Sequence, residues 1–113
     1  SPPLSSPSSH RHHHHYIHFS ISPPCSDPLL IRRTLQQALS QSFGITLSHI
    51  YLDVLWVANS GSQCVIRAND PNDAASVMAA AAVFNGSPHL STLNESNFLP
   101  SISGEEEKSR KIF

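Results

Sequence analysis

Hydrophobic positions along this chain switch between a period of two and a period near 3.6, and the switches mark its elements. Over residues 16–22 (YIHFSIS) the alternation is clean. Ile17, Phe19 and Ile21 fall on one face, with Tyr16, His18, Ser20 and Ser22 on the other, which predicts a strand with one buried face. SPPC breaks it. Residues 26–44 (SDPLLIRRTLQQALSQSFG) then place Ile31, Leu35, Ala38, Leu39 and Phe43 at helical spacing. Asp27 can cap the first free amides, Pro28 suits a first helical position that needs no donor, and Gly44 stands where a left-handed cap is wanted. The outer face of this helix carries Arg32, Arg33, Gln36, Gln37, Ser40 and Gln41, with no carboxylate after Asp27.

Residues 50–58 (IYLDVLWVA) read as a second strand that is apolar on both sides. Ile50, Leu52, Val54 and Trp56 share one face, and Tyr51, Asp53, Leu55 and Val57 share the other. Either the sheet is covered on both sides or a bulge shifts the phase partway. After the turn Asn59-Ser60-Gly61-Ser62, residues 63–68 (QCVIRA) return as a third strand, with Arg67 on the side of Gln63 and Val65. Asp70 and Pro71 repeat the start signal of the first helix, and Asp73 suits the positive helix end. The second helix runs through 74–84 to Asn85-Gly86, with Ala74, Val77, Met78, Ala81 and Phe84 as its stripe. Ala79, Ala80 and Val83 lie opposite, and no charge follows Asp73; a helix apolar all round points to a covering partner. Residues 89–94 (HLSTLN) make a fourth strand.

The order strand, helix, strand, strand, helix, strand predicts an α+β ferredoxin-like split βαβ fold (βαββαβ). It has a four-stranded antiparallel sheet with two helices on one face. Residues 1–15 form a disordered Pro/Ser/His-rich segment, 16–103 the folded domain and 104–113 a charged tail.

Charge and chemistry narrow what such a fold can do. The 113-residue chain has a formal charge of −1. Residues 16–103 hold three basic side chains (Arg32, Arg33, Arg67) against five acidic ones (Asp27, Asp53, Asp70, Asp73, Glu95), a balance of −2. That argues against strong autonomous binding to nucleic acid. Cys25 and Cys64 form no CxxC pair and read as free thiols in a reducing compartment. No apolar run is long enough to span a membrane. The tract containing His10, His12, His13, His14, His15 and His18 invites a metal, but a selective site needs ligands fixed in geometry, so neither metal nor cofactor is expected. No GxSxG, HExxH or phosphate loop is present, and the carboxylates show no acid/base pair. The loop after the first strand lacks the glycine-rich arginine of an acylphosphatase and the MxCxxC of a metallochaperone. QCVIRA lacks the stacking aromatics of an RRM sheet, leaving Tyr16 or His18 as the side chains able to stack.

DPLLIRRTLQQALSQSFGIT followed by IYLDVLWVANSGSQCVIRANDPNDAASVMAA resembles a fungal family of small ribonuclease P and ribonuclease MRP protein subunits. It is the family of the eighth Pop (processing of precursor RNA) subunit. The resemblance rests on Asp27-Pro28, Phe43-Gly44, residues 50–57 with Asp53, Ile66-Arg67, residues 73–82 and the late NFLPSISG. It spans residues 16–104, with a longer hairpin loop than the family's and the His tract and tail outside its pattern.

The resemblance implies a non-catalytic protein of a nuclear and nucleolar ribonucleoprotein endonuclease, one that matures precursor tRNA 5′ ends or processes precursor rRNA. The catalytic RNA performs the chemistry. This chain would pair with a related small Pop subunit, beside other particle proteins. Arg32, Arg33 and Arg67 are then the RNA-contact candidates; Leu55, Val57, Ala79, Ala80 and Val83 are the partner-interface candidates. Each has a plainer reading: Arg32 as a side chain snorkelling over the core, Arg33 as a solvated charge, Arg67 as the pair of Asp53. The alternative function is a ferredoxin-like protein-interaction module with no RNA role; a His-rich metal-binding protein is a third.

Overall fold

The computed structural model describes residues 14–44 and 50–99. The expected disordered segment, apart from its last two residues, and the charged tail lie outside these. Strand β1 (His15–Ser22) leads to helix α1 (Pro28–Phe43), then β2 (Leu52–Val57), β3 (Gln63–Ala68), helix α2 (Pro71–Val83) and β4 (His89–Ser96). The strands form one antiparallel sheet in the order β2-β3-β1-β4, the α+β ferredoxin-like arrangement that the periodicities predict.

Both helices begin as their caps dictate. The Asp27 carboxylate accepts the Leu29 N–H at 3.0 Å, and Asp70 accepts the Asp73 N–H at 2.8 Å, each followed by proline in the first turn. At the far end of α1 the chain leaves through Gly44, at φ +94°, whose N–H reaches Ser40 O at 2.9 Å.

The core lies between the sheet and the helices. Ile17, Phe19 and Ile21 of β1 meet Ile31, Leu35 and Leu39 of α1 and Val77 of α2 there. Phe43, expected in the α1 stripe, is instead exposed at the end of the helix, and Thr34 is buried. Of the two alternatives for the apolar second strand, the register shows the bulge. The pairing of β2 with β3 slips between Val54 and Trp56, so Leu52, Val54 and Val57 face the helices. Leu55 and Trp56 go to the opposite face, where they cluster with Ala58 and Val65 against Tyr16. The simple alternation, which puts Trp56 with Val54 and Val57 with Asp53, is corrected by that one extra residue.

The hairpin between β2 and β3 is tied to the segment leaving β1. Gly61 has φ +76°, and a Cβ there would stand 2.8 Å from Cys25 N. The same contact is a hydrogen bond from Cys25 N–H to Gly61 O at 2.8 Å, beside one from Ile21 N–H to Ser62 O at 2.8 Å. Glycine is required by the approach as much as by the dihedral. Cys25 and Cys64 are both free thiols, and burial pushes the Cys64 thiol well above its ordinary value.

Candidate functional site

Asp53 is the charged residue around which the polar side chains of the edge gather. It stands on β2 directly opposite Arg67 of β3, and its Oδ2 takes the Arg67 guanidinium across the strand pair. Tyr51, just before β2 and two residues back from Asp53, donates its hydroxyl to Oδ2 at 2.6 Å. From α1, Arg32 reaches the other oxygen: its Nη2 lies 3.9 Å from Oδ1, close enough to attract and too far to hydrogen-bond. Burial alone would raise the Asp53 carboxyl. The bonds from Tyr51 and Arg67, with the charges of Arg67 and Arg32, hold it below its ordinary value instead. Arg67 shifts the other way: burial works against its charge, and Asp53 and Tyr51 outweigh it. Its Nε is buried with no hydrogen-bond partner.

Beside this pair a groove of about 270 Å³ runs between the first turns of α1 and β2, lined by Pro28, Leu29, Arg32, Asp53 and Val54. Leu29 stands at its rim, 70% exposed. The outer face of α1 continues from there through Arg33, Gln37 and Gln41, all exposed.

The three arginines are thus in three different conditions. Arg67 is engaged by Asp53, as its plainer reading has it. Arg32 is partly engaged and 42% exposed, and Arg33 is exposed on the helix. The partner-interface candidates divide as well. Val57 is 5% exposed and Ala80 1%, both packed in the core between the sheet and the helices, so neither presents a surface; the bulge turned the first inward. Ala74, Val77, Ala81 and Phe84 of the expected α2 stripe are buried, Met78 packs half-buried against the core, and Ala80 joins them. Leu55 is buried in the cluster on the other sheet face. Ala79 and Val83 are exposed, the valine at 66%.

On the face away from the helices, His18 donates from Nε2 to Gln63 Oε1 at 2.7 Å and meets Trp56 edge to face, ring centroids 6.3 Å apart. Trp56 is 3% exposed, so its ring packs and does not offer a stacking surface. His15, at the start of β1, contacts Glu95 at 2.8 Å and Asn97 at 2.9 Å. No set of three or more His, Cys, Asp or Glu side chains gathers into a possible metal site among the described residues. The tract up to His13 lies outside them. Among the described residues no helix is long and apolar enough to cross a membrane.

Sequence reasoning reached Arg32, Asp53 and Arg67 but missed Tyr51 and the groove. Tyr51 was legible as the residue two before Asp53 on one strand face. The groove depends on how α1 lies over the edge of β2, which no local pattern carries.

No family model matches the chain, and no curated protein matches it by sequence. By structure it is similar to a chain in the cryo-EM structure of yeast ribonuclease MRP. The TM-score is 0.65 at 18% sequence identity, over 86% of this chain and 85% of that one. At such identity the likeness speaks for the fold.

Proposed function

We propose that the chain is a non-catalytic protein subunit of ribonuclease P or ribonuclease MRP. In this reading it pairs with a related small Pop subunit and braces the catalytic RNA during precursor tRNA 5′ or precursor rRNA processing, in the nucleus and nucleolus. The observation that carries the reading is a convergence. The ordered motifs from Asp27-Pro28 to the alanine-rich second helix resemble the eighth Pop family, and the fold is independently similar to a chain in a ribonuclease MRP structure over most of both lengths. The domain's balance of −2 fits a protein that joins RNA through an assembly and not by its own charge. Within it, Arg33 and the polar side chains after it on α1 are the surface offered to RNA, with Arg32 at the flank. The uncharged outer face of α2 at Ala79 and Val83 is the surface offered to protein.

Affinity purification of the tagged chain from its own cells tests this. Recovery of ribonuclease P or MRP RNA together with a small Pop-type protein is expected; recovery of neither sinks the proposal. One observation favours a second reading, a protein-interaction module without an RNA role: Asp53 engages Arg67 fully and Arg32 in part. Recovery of a protein partner without either RNA would select it.

A further inference from the structure

The groove between α1 and β2 pairs apolar walls with a guanidinium and a carboxylate oxygen that attract each other without a direct hydrogen bond. Pro28, Leu29 and Val54 supply the walls. Arg32 Nη2 and Asp53 Oδ1 are 3.9 Å apart, beyond a direct bond, while Tyr51 and Arg67 both occupy Oδ2. Oδ1 therefore keeps acceptor capacity on the side that faces Arg32. A group presenting a donor and an acceptor side by side could bridge the two, giving its hydrogen to Oδ1 and taking one from the guanidinium. Leu29, 70% exposed, is the open side of these walls.

From this we infer that the groove receives one unstacked nucleobase, read along its Watson–Crick edge. Each base carries a flat apolar face for Leu29 and Val54, and an adjacent donor and acceptor on that edge. In a duplex that edge is occupied, so the site takes single-stranded or extruded nucleotides. The groove, at about 270 Å³, is roomy enough for a single ring system. A peptide amide also offers a donor and an acceptor, but lacks the planar apolar body that both walls would cover. The inference rests on the RNA reading above and specifies where one nucleotide of that RNA sits.

The test uses the full chain, with methyl-labelled leucine and valine, and titrates it with uridine, 3-methyluridine, ribose 5-phosphate and a capped dipeptide amide. Uridine should shift the Leu29 and Val54 methyl resonances. 3-Methyluridine, whose edge donor is replaced by a methyl, should bind about tenfold more weakly or worse. Arg32→Gln should weaken uridine by a similar factor, and Leu29→Ser, at an exposed site that leaves folding alone, should weaken it as well. Equal response to uridine and 3-methyluridine, no response to uridine, or the same shifts from ribose 5-phosphate would each overturn the inference. Response to the dipeptide in place of the nucleosides would overturn it in favour of a peptide. Purified particles that contain the RNA while uridine leaves the groove unmoved would sink this inference alone. Uridine binding in a chain that recovers no such RNA would sink the functional reading alone.

Discussion

Asp53 and Arg67 face each other across β2 and β3, and the carboxylate that receives the guanidinium also receives the Tyr51 hydroxyl from the segment just before β2. The arrangement ties the edge strand to its neighbour. With Arg32 added from above, it also ties α1 to the same edge. The domain's cationic surface is reduced to match, because two of its three arginines lean on one acid.

Asp53→Asn should therefore destabilise the fold by about 1–2 kcal/mol near neutral pH, the range of a partly exposed charge-assisted bond. Its pH dependence carries a sign. The Asp53 carboxyl is held below its ordinary value in the folded state. Its contribution is then present above the unfolded value, about 3.9, and disappears as pH falls through the lower folded one. Asp73, shifted up mainly by its burial and then by Asp70, works the opposite way but is common to both proteins and cancels in the comparison. Urea unfolding of the two proteins from pH 7 downward should show their stabilities converging below about pH 4. A gap that stays constant to pH 2 would mean the carboxylate's charge is not what stabilises.

Two glycines with positive φ separate conformational strain from close approach. Gly44 at φ +94° has no neighbouring atom within 4 Å of a would-be Cβ, whereas at Gly61 the Cys25 backbone stands 2.8–2.9 Å away. Gly44→Ala should cost about 1–2 kcal/mol, the backbone strain alone, because φ +94° with ψ 173° lies outside the left-handed helical cap and in a region that is essentially glycine's. Gly61→Ala should cost at least about 2 kcal/mol, since the hairpin must also part from the segment after β1. Thermal melts of both variants check the order, and equal losses would show that the contact is soft.

What the pattern of residues revealed, and what it hid, follows from how strongly each position speaks. Alternation and capping located all six elements, because Asp-Pro starts and period changes are local signals. The faces of β2 were not legible. Val54, Leu55, Trp56 and Val57 are all apolar, so no polar residue marks where the extra one enters, and the parity of Val57 inverts without trace. Ala79 and Ala80 posed a similar problem: neighbouring alanines bias a helix orientation too little to say which is buried. Asp53 and Arg67 could be paired on sequence alone because they share a face on neighbouring strands. The condition of Arg32 could not, since it depends on where a helix settles over an edge.

Arg33 and Arg67 should behave as opposites. Arg33→Ala removes an exposed helix charge and is expected to change stability by no more than about 0.5 kcal/mol. Under the proposed function it reduces the RNA recovered with the tagged chain. Arg67→Ala leaves Asp53 without its cross-strand partner and should lower stability by about 1–3 kcal/mol. Denaturation and RNA recovery measured side by side distinguish them. RNA recovery unchanged in Arg33→Ala would remove α1's outer face from the interface.

The valines at 57 and 83 make the corresponding pair for protein contact. Val57 is packed beneath the helices, so Val57→Ala opens a cavity and should cost about 2 kcal/mol whether or not a partner is present. Val83 is 66% exposed at the end of an α2 face that carries no charge after Asp73, and nothing in the isolated fold needs its side chain. Val83→Asp should leave the unfolding midpoint of the isolated chain within the surface range, about 0.5 kcal/mol. In a complex it would bury an unpaired carboxylate, which costs far more than the lost valine contact. Loss of the co-purifying protein at unchanged stability is the expected outcome in cells. A partner retained at full yield by Val83→Asp would mean that the protein interface lies elsewhere, and the exposed edge of β4, at residues 91–95, would be the next surface to test.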